Sequence, residues 1–263
     1  MIILKIGGGK DINITGVAED LAALSEPLLI VHGANAWRDE LAGRMGWEIN
    51  RVTSVSGFSS TLSDTGLIDL QMMAYAGLRN KRIVETLRQH GVNAIGLSGL
   101  DGALIRGKRN AGIRVRQKGK LKLLKDFSGK PRSINSALLD MLLEAGYVPV
   151  ITVPIIDENN RAINSENDDI VTLLNSHYKA RRVIQLIEEK GLLSDPADRD
   201  SLVEKVTHAD LETWINKEQG RIKRKLYAIG KLLAGGAHKV VIADGRVAHP
   251  VNAALRDKGT VFE

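Results

Sequence analysis

Two rhythms of apolar and polar positions run through the chain. Short apolar runs at residues 2–6, 28–31, 94–97, 148–151, 183–187 and 239–242 are nearly continuous, as in strands buried on both faces. Helical spacing fills the gaps, at 14–25, 66–90, 133–144, 168–176 and 220–234. The 66–90 stretch reads as one long helix, with Leu70, Met73, Leu78 and Ile83 facing the core and His90-Gly91 as its stop. Buried strands alternating with helices predict an α/β fold, with a mainly parallel sheet covered on both faces. There are no internal repeats and no linker; the most polar loop is Asp195-Pro196-Ala197-Asp198.

At 263 residues, the chain has room for one large domain or two closely joined lobes. The absence of cysteine excludes disulfides, iron–sulfur ligation, thiolate-bound zinc and a cysteine nucleophile. Six histidines show no paired ligand spacing, and Ser98 has no histidine–aspartate constellation beside it. Neither a metal centre nor a serine nucleophile is therefore expected. No apolar run is long enough for a membrane span, and the opening Met1-Ile2-Ile3-Leu4-Lys5 has none of the parts of a signal peptide. A cytoplasmic protein is expected.

The net charge of +6 is concentrated. Residues 106–132 carry eleven cations against Asp126 alone, so the rest of the chain is slightly acidic. Ile113-Arg114-Val115-Arg116 and Lys120-Leu121-Lys122-Leu123 alternate apolar and basic residues about a Gln117-Lys118-Gly119 turn, which predicts a hairpin with a row of cations on one face. Such a face is open to three readings: a solvated surface, a nucleic-acid contact, or a dock for an acidic partner. Phe127 is the segment's sole stacking residue, which disfavours nucleic acid.

Glycine turns directly after strands expose backbone N–H groups and can cradle an anion. Gly7-Gly8-Gly9 and Gly33-Ala34 are two such turns; neither is a dinucleotide fingerprint or a Walker A loop. Each alone is equally consistent with a plain strand-to-helix turn. Lys5 sharpens the reading, because a lysine inside an apolar strand is costly unless its ammonium meets an anion or reaches water. Lys225 sits one turn into a late helix, and Asn164-Ser165-Glu166-Asn167-Asp168-Asp169 offers carboxylates between the two lysines.

Lys5-Ile6-Gly7-Gly8, His32-Gly33, Ser98-Gly99-Leu100-Asp101-Gly102, Asn164 through Asp168, Gly220 through Lys225 and Gly259-Thr260-Val261-Phe262 occur in one order. In that order the chain resembles the amino acid kinases, in their N-acetylglutamate kinase branch. Residues 77–102 and 219–225 are most similar to the kinases acting on glutamate or α-aminoadipate joined to an amino-group carrier protein. The resemblance implies a three-layer sandwich with about eight strands, an acceptor and dimerisation lobe over residues 1–180, and an ATP lobe over 181–263. It also implies a homodimer that uses ATP and Mg²⁺ to phosphorylate a side-chain carboxylate. Lys5, Asp168 and Lys225 would be catalytic, with Asp168 orienting the lysines. Gly7, Gly8, Gly33 and Ala34 would receive phosphate, Thr61 and Asn164 the acceptor, and Glu188 with Lys225 the nucleotide. An acidic carrier would dock on Arg114, Arg116, Lys120 and Lys122.

Three departures from the family pattern bear on recognition. Ala34 stands where a third glycine is usual, and Thr61 where an arginine grips the acceptor's carboxylate. Ile187-Glu188-Glu189-Lys190-Gly191 replaces the usual nucleotide loop. An intact chemical centre with altered recognition positions points to an active kinase with a changed substrate. A free acetylated acid as acceptor, or a non-catalytic nucleotide-binding regulator, are the alternatives.

Overall fold

The computed structural model describes all residues except 54, 56–58, 118, 119 and 219, together with the backbone alone at 59, 117, 220 and 221. The expected Gln117-Lys118-Gly119 turn and Gln219 therefore lie wholly or partly outside the described residues. Eight strands form the central sheet, in the order Lys205–Val206, Thr260–Phe262, Val240–Asp244, Arg182–Ile187, Ile2–Ile6, Leu28–His32, Val148–Thr152 and Ala94–Ser98. All neighbours are parallel except Thr260–Phe262 against Val240–Asp244. The α/β expectation and the strand count hold.

Successive residues of a strand point to opposite faces, and that rule divides the core in two. Ile3, Leu29, Val31, Ile151 and Val183 pack on one side with Ile170, Val171 and Leu174 of the Asn167–Tyr178 helix. Ile2, Leu4, Ile6, Ile30 and Leu186 pack on the other with Val17, Ala18, Ile83 and Leu87. Lys5 shares the face of Ile3, so it points toward the Asn167–Tyr178 helix. Side-chain caps set several helix starts: Asn13 accepts from Gly16 N, Asp64 from Leu67 N and Asn135 from Leu138 N.

Two sequence-based boundaries are corrected. The 66–90 stretch is three helical segments, with a π-helix at Met72–Arg79 between α-helices Thr65–Gln71 and Asn80–Gln89. The wider turn changes the angular phase. Leu70 and Ile83 are buried as expected, but Met73 turns outward and Leu78 is half-buried, while Ala74, Tyr75 and Arg79 face inward. Residues 133–134 belong to a strand, Gly129–Ile134, and the helix begins at Ser136. That strand is part of a four-stranded sheet with Ala162–Ile163, Ile155–Ile156 and Ile105–Arg109. Beside it stand two separate hairpins, Arg51–Thr53 with Ser59–Thr61 and Ile113–Gln117 with Lys120–Leu124.

Candidate active site

The carboxyl ends of the parallel strands carry the polar side chains, as open α/β sheets do where they bind ligands. After Ile2–Ile6 and Leu28–His32 the two glycine turns nest backbone against backbone. A Cβ on Gly8 would lie 2.8 Å from Asn35 N and 3.1 Å from Ala34 N; one on Gly33 would lie 3.0 Å from Gly8 N. Only glycine permits that approach. Two of the expected phosphate donors are already committed, since Gly7 N donates to Leu186 O and Gly33 N to Ile6 O. They fix the turns to the sheet and are spent on carbonyls rather than on a ligand.

Below the second turn His32 is fully buried. Burial brings its imidazole down to about 3, so it is neutral, accepting from Asn80 Nδ2 at Nε2 and donating from Nδ1 to Gly33 O. Above the turn the Tyr75 hydroxyl donates to Asn35 Oδ1, and burial pushes that phenol up to about 12. Tyr75 and Asn35 were not singled out from the sequence; their signal was a lone aromatic in the 66–90 helix and a polar residue directly after a glycine turn.

Lys5 Nζ pairs with Asp168 Oδ1 at the start of the Asn167–Tyr178 helix. Burial opposes the Asp168 carboxylate, but Lys5 and then Lys225 outweigh it and hold its carboxyl below the usual range. Burial and repulsion from Lys5, partly offset by Asp168, bring Lys225 down to about 8. Lys5 and Lys225 both act on this carboxylate, and Glu166, whose carboxyl is pushed up by burial and then by Asp168 and Asp169, adds a second acidic group close to Lys5. Beside it a pocket of about 230 Å³ is lined by Ile187, Leu192, Leu193, Ile222, Ile242 and Lys225, an apolar slot ending at an ammonium. A larger pocket of about 450 Å³, bounded by residues 46–50 and 62–70, contains none of these charged groups.

The remaining expected site residues fall into place unevenly. Asn164 accepts from Gln71 Nε2 at 2.8 Å and donates to Ser63 Oγ at 3.1 Å, close to Thr61 along the chain. Glu188 is absent from the apolar slot, where Glu189 stands instead. Its carboxylate lies against Gly9 Cα, where a Cβ would sit, and accepts from Asp11 N at 2.8 Å. Arg79, 5% exposed and stacked 5.0 Å from the Trp37 ring, has no hydrogen-bond partner for Nε or Nη2. Burial lowers it to about 10, opposed by Glu188. Among the described residues no three His, Cys, Asp or Glu side chains cluster as a metal cage, and no helix is long and apolar enough to cross a membrane.

The basic hairpin is corrected in one respect. Arg114 is opposite Leu123, Val115 opposite Lys122, and Arg116 opposite Leu121. Opposed residues share a face, so the arginines lie on one face and the lysines on the other, with no single cationic row.

Nested glycine turns, paired lysines around a carboxylate and an adjoining apolar slot are what a nucleotide-dependent phosphoryl-transfer protein of the α/β class requires. The sequence profile of the amino acid kinase family matches residues 1–244, and the chain belongs to that family. It is 40% identical to the LysW-aminoadipate kinase of Thermus thermophilus, over 99% of both chains. It is also 29% identical to the acetylglutamate kinase of Methanopyrus kandleri, again over 99% of both. Among solved structures, the N-acetylglutamate synthase of Neisseria gonorrhoeae superposes with a TM-score of 0.77 at 18% identity, over 99% of this chain and 58% of the other. An isopentenyl phosphate kinase superposes at 0.61 and 19%, over the whole of both chains. These two support the fold alone.

Proposed function

We propose that this protein transfers the γ-phosphoryl group of ATP to the side-chain carboxylate of a glutamate or α-aminoadipate joined to an amino-group carrier protein. A carboxylate oxygen attacks phosphorus, the β–γ bridging oxygen leaves on ADP, and an acyl phosphate forms. The observation carrying this reading is the Lys5–Asp168 ion pair with Lys225 beside nested glycine turns. The acceptor is already ionised at neutral pH, so the site needs no general base. Its task is to bring two anions together and neutralise charge on the transferring group. Lys5 stabilises the transferring phosphoryl, Lys225 the leaving oxygen, and Asp168 orients both ammonium groups. Gly8 N–H, with Ala34 in the facing turn, receives the γ-phosphate.

Mg²⁺ fits as a companion of the nucleotide. Asp168 is engaged by Lys5, and the lack of a carboxylate cage among the described residues suits an ion held by phosphate oxygens and water. Bound there, it would supply charge neutralisation. Residues 1–180 form the acceptor and dimerisation lobe of a cytoplasmic homodimer, and 181–263 the ATP lobe. Arg51 is exposed and directly opposite Thr61, so its guanidinium reaches the same face. It takes the α-carboxylate contact that a hydroxyl at 61 cannot supply. Asn164 completes that contact.

The relatives named LysW-aminoadipate kinase favour a carrier-linked acceptor over a free acetylated acid. The test is ADP release with MgATP and three acceptors: N-acetylglutamate, N-acetyl-aminoadipate and a carrier protein bearing a C-terminal γ-linked glutamate. Turnover confined to the carrier is expected. Turnover with a free acid instead would give the acetylglutamate kinase reading, and MgATP binding without turnover would give the regulatory one.

A further inference from the structure

The buried stripe of the Thr65–Gln71 helix is Leu67, Ile68, Leu70 and Gln71, and an amide in such a stripe is costly unless it is bonded. Gln71 is 2% exposed and only half bonded. Its Nε2 donates to Asn164 Oδ1 at 2.8 Å, while its Oε1 has no partner among the described residues. Asn164 is held through both backbone and side chain. Its Nδ2 donates to Ser63 Oγ at 3.1 Å, its backbone N to Phe127 O at 2.8 Å, and its carbonyl accepts from Gly129 N at 2.8 Å. Ser63 is anchored in turn, since its N donates at 2.8 Å to Oδ1 of the fully buried Asp126. Neither amide can flip without losing a bond of this relay. One N–H of Asn164 Nδ2 and the carbonyl oxygen of Gln71 are left over, a donor and an acceptor on two side chains already bonded to each other.

Position points to the acceptor. Asn167, further along the same segment, brings its Nδ2 to 3.5 Å from where a Cβ of Gly33 would sit. The segment therefore runs from the relay to the second glycine turn. Ser165 Oγ and Asn167 Oδ1 are also buried and lack a partner among the described residues. Buried oxygens left unmet here call for a donor that the described residues do not provide. The acceptor proposed above is joined through its amino group. Near its Cα it carries a carboxylate, which only accepts, and an amide N–H, which only donates. A carboxylate set against Gln71 Oε1 would be repelled, whereas the amide N–H satisfies it.

We propose that Gln71 determines specificity for the acceptor, its Oε1 accepting from the amide N–H while Asn164 Nδ2 donates to the α-carboxylate. The pair reads both substituents of one acylated amino acid and so fixes which carboxylate is turned toward the glycine turns. This inference rests on the N-acylated acceptor of the proposed function and deepens it by naming the residue that recognises the acylated nitrogen. N-acetylglutamate shares that N–H, so the inference holds for a carrier-linked and a free acceptor alike.

The test replaces the amide by an ester, which exchanges the N–H for an oxygen with little change of shape. Loaded carrier with either linkage is offered to the whole chain and to its variants Gln71→Leu and Gln71→Met. Kd without ATP is measured beside KM in the presence of MgATP. In the parent protein the ester is expected to bind about tenfold or more weakly than the amide. In both variants the amide should weaken by about as much, leaving amide and ester within about twofold of each other. KM for MgATP should not change, whereas a merely structural glutamine would move it together with the acceptor's. Equal amide–ester discrimination in parent and variants would overturn the proposal. So would no discrimination in the parent, a result that needs no variant to fold. Failure of the carrier-linked reading has a separate signature: turnover of N-acetylglutamate with none of the loaded carrier. The same comparison is then made between N-acetylglutamate and O-acetyl-2-hydroxyglutarate, with the same expectations.

Discussion

The centre of the site and its rim are built by different means. At the centre, Lys5 projects from a strand with neighbours on both sides, Asp168 from the first turn of a packed helix, and the glycine turns are pinned by sheet carbonyls. Every group there is held by backbone that the core already fixes. At the rim, among the described residues, the strands carrying Thr61 and the hairpin cations form two separate two-stranded ribbons, linked by the Val55 N–Arg114 O bond. On the proposed reading, chemistry is placed by the sheet, and recognition by small ribbons laid beside it. The rim can therefore change, as at Thr61 and in the 187–191 loop, without disturbing the phosphoryl-transfer geometry.

The largest effects should come from the centre. Lys5→Ala or Asp168→Asn is expected to lower kcat by about a thousandfold with little change in thermal stability. A loss below tenfold in both would make centre and rim equivalent. Gly8→Ala places a methyl group against the backbone of the second turn. It should cost about a hundredfold in kcat/KM through displaced phosphate contacts, again measured by steady-state ADP release.

The pH profile sharpens the comparison. On the proposed reading Lys225 works as an ammonium, and burial and Lys5 bring it down to about 8 in the protein without nucleotide. The kcat/KM for MgATP should therefore fall as pH rises through about 8. Bound phosphate restores the ammonium's counter-charge, so the limb in kcat should lie higher. Coincident limbs would show that Lys225 does not meet the nucleotide.

Smaller changes are expected at the edges. Glu188 sets a carboxylate on the first glycine turn, where the proposed reading brings phosphate. Glu188→Ala should therefore lower KM for MgATP by about fivefold, the size of one like-charge repulsion near water. Asn80→Ala leaves Val150 O and His32 Nε2 without their donor. It should reduce stability by about 2 kcal/mol in chemical denaturation, with kcat retained once folded.

How far these features were legible depends on the kind of signal. The strands read clearly because burial on both faces leaves continuous apolar runs, and Lys5 stood out as a charge in one of them. The helix over 65–89 was visible, but its inward face was not. A π-helical turn leaves no mark in 3.6-residue periodicity, so Arg79 and Tyr75 were missed in favour of Met73. The hairpin was legible as alternation, whereas its faces depend on cross-strand register, which one strand's pattern does not contain. Glycine spacing located the two nested turns but not which amides are spent on sheet carbonyls; that depends on Leu186 and Ile6, which come together only in the fold.

The most direct test is trapping with hydroxylamine in the presence of MgATP and the loaded carrier, with hydroxamate and ADP counted together. Equal amounts of the two, abolished by Asp168→Asn, are expected if a carboxylate receives the phosphoryl group. ADP formed without hydroxamate, or undiminished hydroxamate in the Asp168 variant, would contradict carboxyl phosphorylation at this site.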